Sequence, residues 1–237
     1  MKILSWIKEL RNLWREIFTI SGVSLFLFGV GIELNSIGFQ YLSSIRTPKL
    51  DQISIFFTEY VHYAWLISFI LVVIYKVIRS EYHRSRLISG LYALLSSGII
   101  ASVLKHVFAV DRPFLTHSEL IPLVEATNFS FPSGHVAVEF ALFVPLLRLS
   151  KSLGIIWGLF ACVLGFFRVY QHVHYPSDIA GGIFIGTMIG MIFSHPAIHQ
   201  MIHRAWKTLE FRRQTFHFTM GFLCVYLHWN GFLTLWQ

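Results

Sequence analysis

Long segments without a charged residue constrain the fold of this chain more than any other feature. The uncharged runs cover 17–32, 60–75, 87–104, 152–167 and 179–203, and a further run, 136–147, contains only the acid Glu139. A helix needs about 20 residues to cross the ~30 Å hydrocarbon core of a bilayer, and Lys or Arg at its ends can extend a shorter run. Only 13% of the residues are charged, against about 25% in soluble domains. The sequence therefore predicts an all-α polytopic membrane protein with a bundle of six transmembrane helices.

The positive charge of the chain is distributed as a membrane topology requires. The net charge is +7, and with a cytoplasmic N-terminus 14 of the 19 Lys and Arg residues fall on the cytoplasmic side. Cytoplasmic loops of membrane proteins carry such an excess. The charge thus indicates orientation, and we predict no nucleic-acid partner.

The two ends of the chain differ from the six-helix domain expected over 16–203. Residues 1–15 place apolar side chains at near-helical spacing between charged ones, which predicts an interfacial amphipathic helix. The segment 204–237 is first basic and then hydrophobic and aromatic. Its last part, 214–237, is compatible with a seventh span or with an aromatic hairpin in the interface, and its two histidines favour the interface.

Two clusters of polar residues lie at the predicted outer ends of the third and fourth spans. Lys105 and Arg112 are seven residues apart, so two turns of helix would bring both to one side. Pro113 disfavours helix at the preceding residue, so the chain should turn away at Arg112. Ser133 is a plausible N-cap for the fourth span, followed by His135. The amides that open this helix would form an anion site facing outward.

A third cluster lies between the fifth and sixth spans and contains Arg168, His174 and Asp178. Pro176 can occupy the first turn of the sixth helix, with Asp178 in the same turn and His174 just before it. The carboxylate can then accept a hydrogen bond from one imidazole nitrogen and leave the other free to attack. A nucleophile, a separate acid and several cations are the groups that cleavage of a phosphoester through a phosphohistidine requires.

The three clusters also resemble a known signature. The strings K-x6-R-P (105–113), P-S-G-H (132–135) and R-x5-H-x3-D (168–178) are similar, in order, to the three motifs of the type 2 phosphatidic acid phosphatases, a superfamily that includes the vanadium haloperoxidases. The resemblance implies that His174 is the nucleophile, Asp178 its partner and His135 the acid that protonates the leaving oxygen. It further implies that the phosphate is bound by Lys105, Arg112, Arg168, the Ser133 hydroxyl and the Gly134 amide. It implies no metal and no other cofactor.

The expected function is therefore hydrolysis of a lipid phosphate or diphosphate at the extracytoplasmic face. The candidate substrates are undecaprenyl diphosphate, phosphatidylglycerophosphate, phosphatidic acid and lipid A phosphates. The other expected partners are the surrounding membrane lipids. The compact chain favours the inner (plasma) membrane of a bacterium. Two alternatives stay open: a lipid phosphotransferase that uses the same phosphohistidine, and a non-catalytic carrier that only binds lipid phosphates. The oligomeric state is left open.

Overall fold

The computed structural model describes residues 2–79, 84–205 and 208–229, and all regular structure in these residues is helical. The predicted all-α class is confirmed for this part of the chain. The helices are α1 (Lys2–Ser44), α2 (Pro48–Phe56), α3 (His62–Arg79), α4 (Arg84–Phe108), α5 (Pro113–Thr116), α6 (Gly134–Leu149), α7 (Lys151–Tyr170), α8 (Pro176–Phe193), α9 (Pro196–Ala205) and α10 (Leu209–Trp229). A single π-helical turn, Phe57–Val61, joins α2 to α3.

Several of these helices are long and apolar enough to cross a bilayer. Within the described residues they are Pro48–Val72, Arg86–Thr116, Lys151–Tyr170 and Pro176–Phe193. Helix α1 supplies a fifth if its two parts, Ser21–Asn35 and Gly38–Ser44, which are bent by 61°, form one span. The protein is therefore an integral membrane protein. Helix α6 has 16 residues, about 24 Å at 1.5 Å per residue, so the count of six spans stays a prediction.

Helix α6 lies at the centre of the bundle, where it packs against α4, α7 and α8. Its contact with α8 depends on glycine at every fourth position of α8. A Cβ at Gly182 would lie 2.8 Å from the Ser133 carbonyl oxygen, and one at Gly190 would lie 2.6 Å from the Ala141 carbonyl oxygen. Small residues at such spacing let helix backbones approach closely. This packing brings the first turns of α6 and α8 side by side.

The last uncharged run, 179–203, contains most of a candidate span, Pro176–Phe193, but it is not one helix. Helix α8 ends at Phe193, and α9 begins at Pro196. Proline has no amide hydrogen for an i−4 carbonyl and disfavours helix at the residue before it, here His195. The positions of the charged residues do not reveal this break, because Pro196 and its neighbours carry no charge.

Both ends of the chain are helical in the described residues. Residues 2–15 continue without a break into the rest of α1, so their interfacial location stays a prediction. Helix α10 runs alongside α4. The Thr215 hydroxyl lies 3.0 Å from the Tyr92 hydroxyl, and seven residues further Phe222 meets Gly98 of α4. The described part of the tail is thus a helix parallel to α4, not a hairpin, and 230–237 lie outside the described residues.

Candidate active site

A cavity of about 640 Å³ opens at the end of the bundle where α4 and α7 finish and α6 and α8 begin. Six of the eight predicted site residues line it: Lys105, Arg112, Gly134, His135, Arg168 and His174. The other two are buried beside them: Ser133 directly precedes Gly134, and Asp178 contacts His174. Side chains from four helix ends and one loop therefore converge on a single space of the size that small-ligand sites have.

His174 and Asp178 form the contact that their spacing predicted. The Asp178 Oδ2 atom lies 3.1 Å from the His174 Nδ1 atom and also accepts a hydrogen bond of 2.9 Å from the Tyr175 amide. Pro176 occupies the first turn of α8, as expected. The chain reverses before it through His172, whose φ of 60° is left-handed. Because Asp178 engages Nδ1, the Nε2 atom is the ring nitrogen left for other chemistry.

The environment of His174 keeps its imidazole uncharged. Its pKa lies well below the usual value of 6.5, first because the ring is buried and second because Arg112 and Lys105 face it. Burial penalises the charged form, and nearby positive charge penalises it further. A neutral imidazole is the form that can act as a nucleophile.

Lys105 and Arg112 are held by oxygen atoms of the loop that follows α5 and, for Arg112, also by a carbonyl of the turn before α8. The Lys105 ammonium donates to the Phe129 and Ser130 carbonyl oxygens at 2.5 and 3.0 Å. The Arg112 guanidinium donates to the Val173 carbonyl at 2.6 Å and to both oxygens of Asn128. These acceptors are neutral, so they orient the two cations without cancelling their charge.

The two cations converge for a different reason from the one expected. Helix α4 ends at Phe108, and Ala109 follows with a left-handed φ of 45°. Arg112 lies beyond the helix in extended conformation, as Pro113 predicted. It is thus the turn at Ala109, and not two turns of helix, that brings Arg112 back to the side of Lys105.

Arg168 approaches the cavity from the last turn of α7. Its Nη1 atom donates to the Gln171 amide oxygen at 3.3 Å and lies 3.9 Å from a Glu59 carboxylate oxygen. The Gln171 amide in turn donates to the Thr58 hydroxyl at 2.9 Å. The π-helical turn therefore helps to hold Arg168, directly through Glu59 and indirectly through Gln171.

Ser133 opens α6, as predicted, although its hydroxyl does not cap the helix. The Ser133 amide donates to the Asp178 carbonyl oxygen at 3.1 Å, which ties the starts of α6 and α8 together. Its Oγ atom is buried and has no hydrogen-bond partner among the described residues. A buried hydroxyl without a partner beside a helix N-terminus is suited to an oxyanion ligand.

Sequence reasoning missed several residues of the site. The Ser130 hydroxyl donates to Asp178 Oδ2 at 2.5 Å, and Asn128 holds Arg112. Glu59 and Tyr63 line the cavity, and the His62 ring lies 4.9 Å from the His135 ring. Glu59 borders the uncharged run 60–75 and His62 lies inside it, which was a weak signal. No sequence signal pointed to Ser130 and Asn128, because they belong to a loop whose path the motifs do not specify. Within the described ranges, no group of three or more His, Cys, Asp or Glu residues is placed to hold a metal ion.

The comparison with known proteins places these motifs in a family. A family model described as the PAP2 superfamily matches residues 86–202. The undecaprenyl-diphosphatase BcrC of Bacillus subtilis (strain 168) is 28% identical over 150 residues, which cover 63% of this chain and 76% of that protein. An undecaprenyl-diphosphatase of Sulfolobus acidocaldarius is 30% identical over 171 residues, covering 69% of this chain and 77% of that protein.

A similar fold is found among solved structures. The crystal structure of a transmembrane PAP2-type phosphatidylglycerolphosphate phosphatase from Bacillus subtilis aligns with a TM-score of 0.60 and 23% identity. The alignment covers 75% of this chain and 93% of that chain. The residues matched by the family model contain all three motifs and end before α10.

Proposed function

Because the chain belongs to the PAP2 superfamily, we propose that it is a membrane phosphatase that removes phosphate from a lipid head group. One observation carries the proposal. Two imidazoles and three cations line a single cavity at the end of an apolar helix bundle, and a carboxylate contacts one of the imidazoles. Relatives that match over most of their length are named as undecaprenyl-diphosphatases.

In the proposed reaction, His174 is the nucleophile. Its Nε2 atom attacks the phosphorus, so that a N–P bond forms while the P–O bond to the lipid breaks. His135 donates a proton to the departing oxygen, and Asp178 stabilises the charge that develops on the His174 ring. Water then attacks the phosphohistidine, which breaks the N–P bond, releases inorganic phosphate and returns a proton to His135.

The three cations and the start of α6 form the proposed phosphate site. Phosphoryl transfer spreads negative charge over the equatorial oxygens, and fixed donors stabilise that charge with little reorganisation. Lys105, Arg112 and Arg168 are already oriented by carbonyl and amide groups. The Ser133 hydroxyl and the Gly134 amide add donors at the helix N-terminus. This chemistry requires no metal ion.

The substrate must present a phosphate at the membrane surface. Charged side chains are costly at mid-membrane, so a cluster of three cations fits the interface. The charge asymmetry of the loops supports a cytoplasmic N-terminus and an extracytoplasmic site in a bacterial inner membrane. Undecaprenyl diphosphate is the first candidate, because two relatives are named for it. Phosphatidylglycerophosphate, phosphatidic acid and lipid A phosphates complete the panel.

The test is phosphate release by purified protein in detergent, in the presence of EDTA, from that panel of lipids. We expect turnover of at least one lipid phosphate and a loss of at least about 10³-fold in His174→Ala, since the nucleophile is removed. His106→Ala is the matched control: this histidine is exposed and lies outside the cavity, so its loss should leave the rate unchanged. Full activity of His174→Ala, or inhibition of the wild-type protein by EDTA, would contradict the mechanism.

The same experiment separates the alternatives. A lipid phosphotransferase would place labelled phosphate in a second lipid instead of in free phosphate. A carrier would bind the labelled lipid without turnover. Rapid quenching should also trap an acid-labile, base-stable phosphoprotein that His174→Ala lacks.

A further inference from the structure

A second imidazole–carboxylate contact lies behind His135, outside the site described so far. Glu139 and His62 are both fully buried, and the His62 Nδ1 atom lies 2.8 Å from the Glu139 Oε1 atom. Glu139 is one helical turn after His135 on α6, and His62 is the first residue of α3. The sequence singled out Glu139 only as an acid inside an apolar run.

The backbone before His62 departs from regular helix. The turn Phe57–Val61 is π-helical, and such turns are frequent at functional sites because they change which side chains face inward. Here the turn is followed by His62, whose ring centroid lies 4.9 Å from that of His135 at an interplanar angle of 47°. The Tyr63 ring lies 6.5 Å from the same imidazole. The start of α3 therefore packs directly on the proposed acid.

Burying this pair is expensive, and its geometry is not that of a simple packing contact. The 2.8 Å approach of Glu139 Oε1 to His62 lacks hydrogen-bond alignment, and Oε2 has no hydrogen-bond partner among the described residues. An apolar pair of similar volume would stabilise the contact between α3 and α6 at lower cost. A costly group in direct contact with a reactive one points to a role in the reaction.

The two histidines of the proposed reaction need opposite charge states. His174 must be neutral to attack, and His135 must carry a proton to donate. The titratable groups that face His135 are Lys105 from α4, Arg112 from the loop, Arg168 from α7, His174 from the turn before α8, and His62 and Tyr63 from α3. Burial of the ring opposes protonation of His135, and the three cations and a charged His62 act in the same direction. Asp178 contacts His174, so a carboxylate on the other side is needed to favour the proton on His135.

We propose that Glu139 and His62 are positioning residues that orient His135 and support its proton-bearing form. Glu139 lies one helical turn after His135, and its negative charge favours a proton on that ring. The His62 ring contacts both groups, at 2.8 Å from Glu139 Oε1 and 4.9 Å between the two imidazole centroids, and it fixes their orientation. The proposal rests on the proposed function, because it assigns the pair to the acid of that reaction. It gives each histidine of the site its own carboxylate: Asp178 contacts His174, and Glu139, with His62, supports His135.

The test compares a lipid phosphate with p-nitrophenyl phosphate, whose leaving group departs without help from an acid. Glu139→Gln keeps the shape and an oxygen acceptor but removes the charge. General acid catalysis is worth about 10²–10⁴-fold, so we expect a positioning loss of about tenfold in kcat on the lipid. The KM and the rate on p-nitrophenyl phosphate should stay near those of the wild type. The alkaline limb of the pH profile on the lipid should move to lower pH, because His135 holds its proton less well.

Three further variants make the outcome decisive. His62→Asn keeps an N–H directed at Glu139 but removes the ring that contacts His135, and it should show the same dependence on the leaving group. Trp157→Phe is the structural control. It perturbs Glu139 itself through a buried hydrogen bond of 3.2 Å to the Glu139 carbonyl oxygen, so it is paired with Leu146→Ala. That variant truncates a buried side chain two helical turns after Glu139 on α6 and should lower thermal stability without changing the dependence on the leaving group.

Equal losses on both substrates in Glu139→Gln and His62→Asn, with an unmoved alkaline limb, would overturn the proposal and leave the pair as a packing contact. Failure of the proposed function is a separate result. In that case the wild-type protein releases no phosphate from any lipid, or His174→Ala remains active.

Discussion

At the scale of single residues, the proposed reaction depends on an uncharged His174 surrounded by positive charge. The same cations that would hold the phosphate also oppose protonation of this imidazole, and burial acts in the same direction. Asp178 favours the imidazolium only after the attack, when the ring becomes positive. The phosphate site and the activation of the nucleophile therefore come from one set of charges.

The pH dependence of kcat/KM follows from this arrangement. The pKa of His174 is lowered, so the ring stays neutral at pH values where an ordinary histidine, with a pKa near 6.5, would be half protonated. We expect activity on a lipid phosphate to persist well below pH 6.5, with the acid limb in the more acidic range. Initial rates at low substrate concentration between pH 4 and 8, with His106→Ala alongside, measure it. An acid limb centred at or above pH 6.5 would contradict the assignment of His174.

The residues of the site that the sequence predicted are those whose chemistry is tied to a local pattern. His174 and Asp178 are four residues apart around a helix start, so their contact follows from spacing. Ser130 and Asn128 reach the site through a loop of irregular backbone, and no local rule gives that path. Glu59 and His62 are far from the motifs in sequence, and they reach the site because the π-helical turn packs against α7 and the start of α3 contacts α6.

At the scale of helices, the position of the site is set by the contact between α6 and α8. Gly186 lies in the middle of this contact, where a Cβ would meet the Ala137 carbonyl oxygen and lie 2.9 Å from the Ala141 amide nitrogen. His135 and Asp178 lie in the first turns of α6 and α8. A change in the separation of these helices would therefore alter the distance between His135, the proposed acid, and His174, the proposed nucleophile that Asp178 contacts.

Gly186→Ala should therefore destabilise the protein and reduce its activity. Overpacking of this kind costs about 1–3 kcal/mol, although alanine is intrinsically the better helix former by about 1 kcal/mol. Thermal unfolding in detergent, followed with the phosphatase assay, measures both effects. The matched control is Gly29→Ala in α1, where a Cβ would meet nothing within 4 Å, and it should be neutral or slightly stabilising. Equal melting temperatures for the two variants would show that α8 does not require glycine at this contact.

The helices themselves were predictable where hydropathy and charge change together. The runs 87–104 and 152–167 lie within α4 and α7, whose first residues, Arg84 and Lys151, are charged. The run 179–203 is longer than the helix α8 that it contains most of, because Pro196 breaks the helix without any change in charge. The run 136–147 lies in a helix of 16 residues. Composition shows that a segment is apolar but not that it reaches both surfaces.

At the scale of the whole molecule, α10 contributes residues to the cavity although it lies outside the region that the family model matches. The family model ends at residue 202, whereas Phe222 and Val225 of α10 line the cavity of the candidate site. An apolar crevice lies between α3, α4 and α10, and it shares Tyr63, Val138 and Phe222 with that cavity. The position of Phe222 between the two spaces suits a contact with the hydrocarbon next to the phosphate of a bound lipid.

Phe222→Ala should raise the KM for a long-chain lipid phosphate and leave that for a short-chain, water-soluble analogue unchanged. The phenyl ring contributes apolar contact only where a chain leaves the cavity, and an increase of about fivefold corresponds to ~1 kcal/mol. Phe218→Ala is the control, because this ring lies one turn earlier on α10 and is exposed. Kinetics on both substrates with both variants, at equal thermal stability, measure the effect. A KM that rises equally for the two substrates would instead place Phe222 in the support of the catalytic groups, since both substrates share the phosphate but only one carries the chain.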